Sequence, residues 1–135
     1  MGLKDIKKTL SDFSTQLDLV DQAKKSCAKI ILDSIAKDNG NLEKTTGGFE
    51  PSELIYEFNN QAFIFNSYLT DIPFVRTEIG IYIRDTANVW VRRLEPVGKY
   101  VLETNLDGEN IDDWVDFDKT KKEVMGRDSG EVNGR

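Results

Sequence analysis

Between Arg76 and Asp118, runs of alternating apolar and polar residues are separated by turn signals. Strict alternation places successive side chains on opposite faces of a strand, so the stretch predicts a β-meander ending in an acidic hairpin. In the first run Ile79, Ile81 and Ile83 share one face, while Glu78, Tyr82 and Arg84 take the other, with Gly80 among them. Asp85-Thr86-Ala87-Asn88 marks a turn, and the next run sets Val89 and Val91 against Trp90, Arg92 and Leu94, closed by Pro96-Val97-Gly98. Lys99 to Asn105 alternates Tyr100 and Leu102 with Val101 and Glu103, and Asp107-Gly108 is the strongest hairpin signal in the chain. The last run sets Ile111, Val115 and Phe117, interrupted by Asp113, against Asp112, Trp114, Asp116 and Asp118.

The N-terminal third has helical spacing instead. Leu3, Ile6, Leu10, Phe13 and Leu17 recur at three and four residues, and Val20, Ala23, Cys27, Ile30, Ile31 and Ile35 continue the pattern. Asp18 or Asp21 suits the start of a second helix, and Asn39-Gly40 is a left-handed stop. No Gly or Pro lies between Gln16 and Asp21, so one bent helix and two helices are both compatible with the spacing. The isoleucine face of the sheet is the surface that these helices should cover.

Residues 41–52, with Thr45-Thr46-Gly47-Gly48 and Pro51, have loop composition and lack the Gly-Lys-Ser/Thr of a phosphate loop. Leu54, Tyr56 and Phe58 then alternate with Ile55 and Glu57. Asn59-Asn60 followed by the β-rich run Ala62 to Leu69 predicts a hairpin, with Gln61–Tyr68 as a short helix the alternative. Asp71-Ile72-Pro73 ends the pattern.

Composition narrows the chemistry. A 135-residue chain buries ~65–70% of the surface its unfolded form exposes, enough for one core, and seven Phe, four Tyr and two Trp supply large side chains for it. There is no histidine, which excludes Ser-His-Asp and Cys-His nucleophilic catalysis and histidine-containing zinc sites. The single Cys27 excludes an intramolecular disulfide and sits among helical apolar positions, as a small buried hydrophobe would. No apolar run reaches the roughly 18–20 residues of a membrane span, and residues 1–10 lack the apolar core of a signal peptide, so a cytoplasmic setting is expected.

Net charge is −6, which disfavours nucleic acid, and residues 98–118 alone sum to −6 (one Lys against seven Asp and Glu). Glu103 to Trp114 places oxygens and a glycine like the first half of a calcium loop. Asn110 and Trp114 stand where that loop needs an apolar residue and a bidentate Glu, so no metal site is expected. Asp112 and Asp113 point to opposite strand faces and cannot flank one substrate. No catalytic residues and no cofactor are therefore assigned.

The fold expected is α+β: an N-terminal helical segment over about residues 3–38, a loop over 39–52, and five or six antiparallel strands within 53–118, mostly in meander order. Residues 1–124 form one domain and 125–135 a flexible polar tail. The candidate site is the acidic sheet face of Glu103, Glu109, Asp112, Trp114, Asp116 and Asp118, where an aromatic anchor amid like charges suits a basic protein partner. The function expected is that of an immunity or antitoxin-type protein neutralising a basic partner such as a nuclease toxin, without nucleic-acid or membrane partners. The alternative is a small-molecule module or weak enzyme, with an aromatic pocket of Tyr56, Phe63, Phe65, Tyr68 and Tyr82 between helices and a curved sheet.

Overall fold

The computed structural model describes residues 2–65, 72–85, 90 and 92–128. Two N-terminal helices, α1 (Leu3–Leu17) and α2 (Leu19–Lys37), are separated by Asp18 in the left-handed region (φ 53, ψ 45). Aspartate tolerates that conformation better than most residues, which is how a chain without Gly or Pro breaks here. Asn39 and Gly40 at positive φ end α2, with the Gly40 N–H donating to the Ile35 carbonyl at 2.8 Å.

Among the described residues four strands form one antiparallel meander in the order β1 (Ile55–Ile64), β2 (Phe74–Arg84), β3 (Leu94–Asn105) and β4 (Asn110–Phe117). Two boundaries predicted from sequence are absent, which reduces five or six strands to four. At Asn59-Asn60 the chain does not turn: β1 continues through a bulge between Phe58 and Asn60, and Gln61 to Ile64 pair with β2 as strand. The Asn59 side chain explains the bulge, since its Nδ2 donates to Glu78 at 3.0 Å and its Oδ1 accepts from the Tyr82 hydroxyl at 2.7 Å. Residues 66–71, including Tyr68, lie outside the described residues.

Pro96-Val97-Gly98 is likewise not a turn. It lies inside β3, where the register shifts between Ile81 and Tyr82, so that Ile81 opposes Gly98 and Tyr82 opposes Pro96. The β4 ladder ends at Gly98 with Phe117, so Pro96 lies beyond that strand, in the edge-like position where proline is tolerated. Of the expected strand at Val89–Leu94, Val89 and Val91 fall outside the described residues. Trp90 and Arg93 belong to the β2–β3 connection, where the buried Asp85 carboxylate accepts the Trp90 N–H at 2.6 Å and the Asp85 N–H donates to the Arg93 carbonyl at 2.9 Å.

Ile79, Ile81 and Ile83 face the helices as their alternation requires, forming a core with Ala23, Cys27 and Ile31 of α2 and with Tyr100 and Leu102 of β3. Cys27 is fully buried, and burial pushes its thiol up to about 12. Thr104, also on this face, is fully buried, and among the described residues its hydroxyl has no hydrogen-bond partner.

The connection after α2 is more structured than its composition implies. It holds a single turn, α3 (Leu42–Thr45), and a 3₁₀ turn at Pro51–Glu53, tied by the buried Thr46 hydroxyl donating to the Phe49 carbonyl at 2.6 Å. Its glycines serve the C-terminal segment. Gly47 has φ +70, and a Cβ there would lie 2.9 Å from the Lys119 carbonyl oxygen. The Gly47 carbonyl in turn accepts the Lys121 N–H at 2.8 Å.

That contact starts α4 (Lys121–Asp128), which extends past Met125, where the chain was expected to fray. Thr120 and Glu123 form a reciprocal cap: the Thr120 N–H donates to Glu123 Oε1 at 2.9 Å, and the Glu123 N–H to Thr120 Oγ1 at 3.1 Å. Val124 is buried in the core cluster. Residues 129–135 lie outside the described residues. Among the described residues no helix is long and apolar enough to cross a membrane.

Candidate functional site

The β3–β4 register builds the candidate site. Glu103 opposes Asp112, Val101 opposes Trp114 and Lys99 opposes Asp116, so these six side chains share the sheet face turned away from the core. The helices pack on the other face, where Tyr100 and Asp113 meet: the Tyr100 hydroxyl donates to Asp113 Oδ2 at 2.7 Å. Burial, followed by the Asp113 carboxylate, pushes the Tyr100 phenol well above its ordinary value. Asp112 and Asp113 thus have separate environments, one exposed and one bound to a core phenol.

Of the six site residues predicted from sequence, the structure brings four onto this face: Glu103, Asp112, Trp114 and Asp116. Glu109 lies in the β3–β4 turn, where its carboxylate accepts the Asn105 carboxamide N–H at 2.9 Å. Asp118 follows β4 and donates its backbone N–H to the Val97 carbonyl at 3.0 Å. These two therefore flank opposite ends of the strand.

The four are not equivalent in charge. Both Nε and Nη2 of Arg76 reach Glu103 Oε2, at 3.0 and 2.8 Å, and the Glu103 side chain is only 14% exposed. A carboxylate so neutralised adds little outward field. The same guanidinium lies 5.8 Å from the centre of the Phe74 ring, so Arg76 links the apolar start of β2 to Glu103 of β3. The exposed charges left on this part of the face are Asp112 and Asp116, beside the half-buried Trp114, and Lys99 opposite Asp116.

Toward the β2–β3 connection the same face has a feature that sequence reasoning missed. Tyr82, Trp90, Arg92, Leu94 and Pro96 surround a mostly apolar hollow of ≈300 Å³. Trp90 is held there by Lys119, whose ammonium lies 4.9 Å above the indole and 3.1 Å from the buried Glu95 carboxylate. Arg92 pairs with Glu57 of β1 at 3.7 Å, so it does not serve as a counter-ion to β4. The sequence signal was the alternation of Leu94 with Pro96, hidden because Pro96-Val97-Gly98 reads as a turn.

The calcium-like stretch is occupied by its own backbone. Asn105 Oδ1 accepts the N–H groups of Asp107 and Glu109, both at 2.9 Å, so an oxygen a cation would need closes the turn instead. Among the described residues no cluster of three metal-ligating side chains occurs. The aromatic residues considered for an internal pocket are dispersed. Tyr56 packs against the core, and burial raises its phenol to about 12; Tyr82 is on the opposite face; Phe63 and Phe65 are exposed and stack on each other at 6.4 Å. No family model, curated protein or solved structure matches this chain.

Proposed function

We propose that this chain is a non-enzymatic protein-binding domain whose helix-free sheet face receives a basic protein partner, as a cytoplasmic immunity or antitoxin protein receives a nuclease toxin. The observation that carries this reading is the register placing exposed Asp112 and Asp116 on either side of Trp114, with an apolar hollow around Trp90 on the same face. Aromatic anchors supply affinity once desolvated, and exposed like charges steer a partner of opposite sign. The test is comparative capture from the source cell with the wild-type chain and with the variant Asp112→Lys/Trp114→Ala/Asp116→Lys. The reading expects a basic protein held by the wild type, released by rising salt and absent from the variant, with the thermal midpoint nearly unchanged. Equal capture by both chains would overturn it.

The hollow favours a second reading, a small-molecule site. Its ≈300 Å³ lies at the lower bound of ligand pockets, and its lining is two aromatic rings, Leu94, Pro96 and one guanidinium. A planar anionic ligand protecting Trp90 from quenching would support that reading, and no protection across an aromatic carboxylate panel would remove it.

A further inference from the structure

The sheet has two edges, and they are built differently. β4 carries Asp112, Asp113 and Asp116 within eight residues, the kind of charge that keeps an edge from pairing with another chain. β1 carries a single charge, Glu57 near its start, which is paired with Arg92 at 3.7 Å. From Phe58 to Thr70 no residue is charged, the longest such run in a chain with 31% charged residues. Its described part, Phe58 to Phe65, is β-rich and lacks proline, and only the Asn59 bulge interrupts it.

This uncharged edge is also apolar on the surface. Phe58, Phe63 and Phe65 are 45%, 39% and 70% exposed. Helix α1 runs beside the strand, with Leu10 and Phe13 bordering a gap of ≈70 Å³ that Phe63 and Val75 also line. No residue of α1 is buried, and its stripe continues outward through Ile6 and Leu3, 43% and 85% exposed. Leu10, Phe13 and Leu17 are half-buried, so the part of the stripe without a partner is its outer end, Ile6 and Leu3.

We infer that β1 is the pairing edge of a two-fold homodimer, with β1 antiparallel to β1 of a second copy and the α1 stripes and Phe63–Phe65 pairs meeting on the helical side of a continuous eight-stranded sheet. Charge selects this occupant. Two chains of net charge −6 repel over most approaches, and the uncharged run of β1 from Phe58 onward lets the strands meet there without opposing like charges. A heterologous partner recognised by charge would find nothing to pair with there. A strand meeting itself about an axis perpendicular to the sheet keeps both helical faces on one side, so the apolar stripes come together and the arrangement closes at two copies. The Asp112–Trp114–Asp116 face stays free, so this inference stands or falls independently of the partner proposed above.

Sedimentation velocity of the full chain from micromolar to millimolar concentration tests it, compared with Ala62→Lys/Phe65→Lys on the β1 edge and Ile111→Lys on the β4 edge. The expected result is a mass that doubles from 15.3 kDa for the wild type and for Ile111→Lys, while the double variant stays at 15.3 kDa with an unchanged circular dichroism spectrum. Amide exchange of the unmodified chain supplies a readout independent of variant folding: protection over residues 58–64 should rise with concentration and protection over 110–117 should not. A wild-type mass of 15.3 kDa throughout, a double variant that folds and still dimerises, or growth to species larger than two copies would each overturn the inference.

Discussion

The hydroxyl of Tyr82 donates to the carboxamide oxygen of Asn59 at 2.7 Å, joining the bulge of β1 to the outward face of β2 directly above Gly80. A Cβ on Gly80 would lie 2.5 Å from Tyr82 Cε1 and 2.7 Å from both amide atoms of Asn59. These atoms hold each other and Glu78 in place, so they cannot yield without losing hydrogen bonds.

Gly80→Ala should therefore destabilise the fold by about 1–3 kcal/mol, the usual range for overpacking. Tyr82→Phe removes only the hydrogen bond and should cost about 1 kcal/mol. Chemical denaturation of both single variants and the double variant would show a combined loss smaller than the sum, because each change breaks the same contact.

Gly98→Ala should be the more damaging glycine substitution. A Cβ there would run into the Asp116 carbonyl oxygen and lie 3.2 Å from Phe117 Cα, and backbone cannot swing aside as a side chain does. A loss of about 2–4 kcal/mol is expected in denaturation, with faster amide exchange at the C-terminal end of β4.

Thr104→Val should be neutral or stabilising by up to about 1 kcal/mol, since it removes a fully buried hydroxyl without a partner and keeps the β-branched shape. A clear loss in thermal midpoint would show that this hydroxyl is hydrogen-bonded in solution.

Alkaline pH should unfold the chain. The Cys27 thiol ionises near 12 when folded and near ~8.5 when unfolded, so above that lower value the unfolded state holds fewer protons. Stability is complete below about pH 8.5 and falls as pH rises, by ~1.4 kcal/mol per pH unit for this group, with Tyr56 and Tyr100 adding the same sign above about pH 10. Cys27→Ala should flatten the stability profile between about pH 8.5 and 10. Native Cys27 should also resist thiol reagents until the chain opens.

Glu53 anchors α4, accepting from Lys121 Nζ at 3.0 Å and from the Glu50 N–H at 2.8 Å. Burial acts to raise its carboxyl pKa, but the Glu50 N–H and Lys121 outweigh it and hold the group below its ordinary value. Its contribution is therefore present above the unfolded carboxylate range, about pH 4.3, and is lost as pH falls through the lower folded value. Glu53→Gln should speed proteolysis at Lys121 and Lys122 at neutral pH while leaving β-sheet content intact.

The candidate face was legible because period-two alternation alone places Asp112, Trp114 and Asp116 together. Neither the Arg76–Glu103 pair nor the Trp90 hollow could be read that way, since each joins residues distant in sequence through strand register. Helix α4 had a readable signal: Thr120 and Glu123 have capping-box spacing, obscured by the Lys-rich and Gly-rich composition around them.

By itself the sequence determined the α+β class, the face to which Ile79, Ile81 and Ile83 turn, the Asp107-Gly108 hairpin and the acidity of the last strand, all consequences of short-range periodicity and turn chemistry. Only the tertiary structure decided how many strands there are. Asn59-Asn60 and Pro96-Val97-Gly98 have the local preferences of turns, yet β2 offers hydrogen-bonding partners along its length to both neighbours, so each segment is taken up as a bulge inside a longer strand. A local turn preference is outweighed when continuing the ladder leaves fewer backbone groups unpaired, and that comparison depends on a neighbour the segment does not encode.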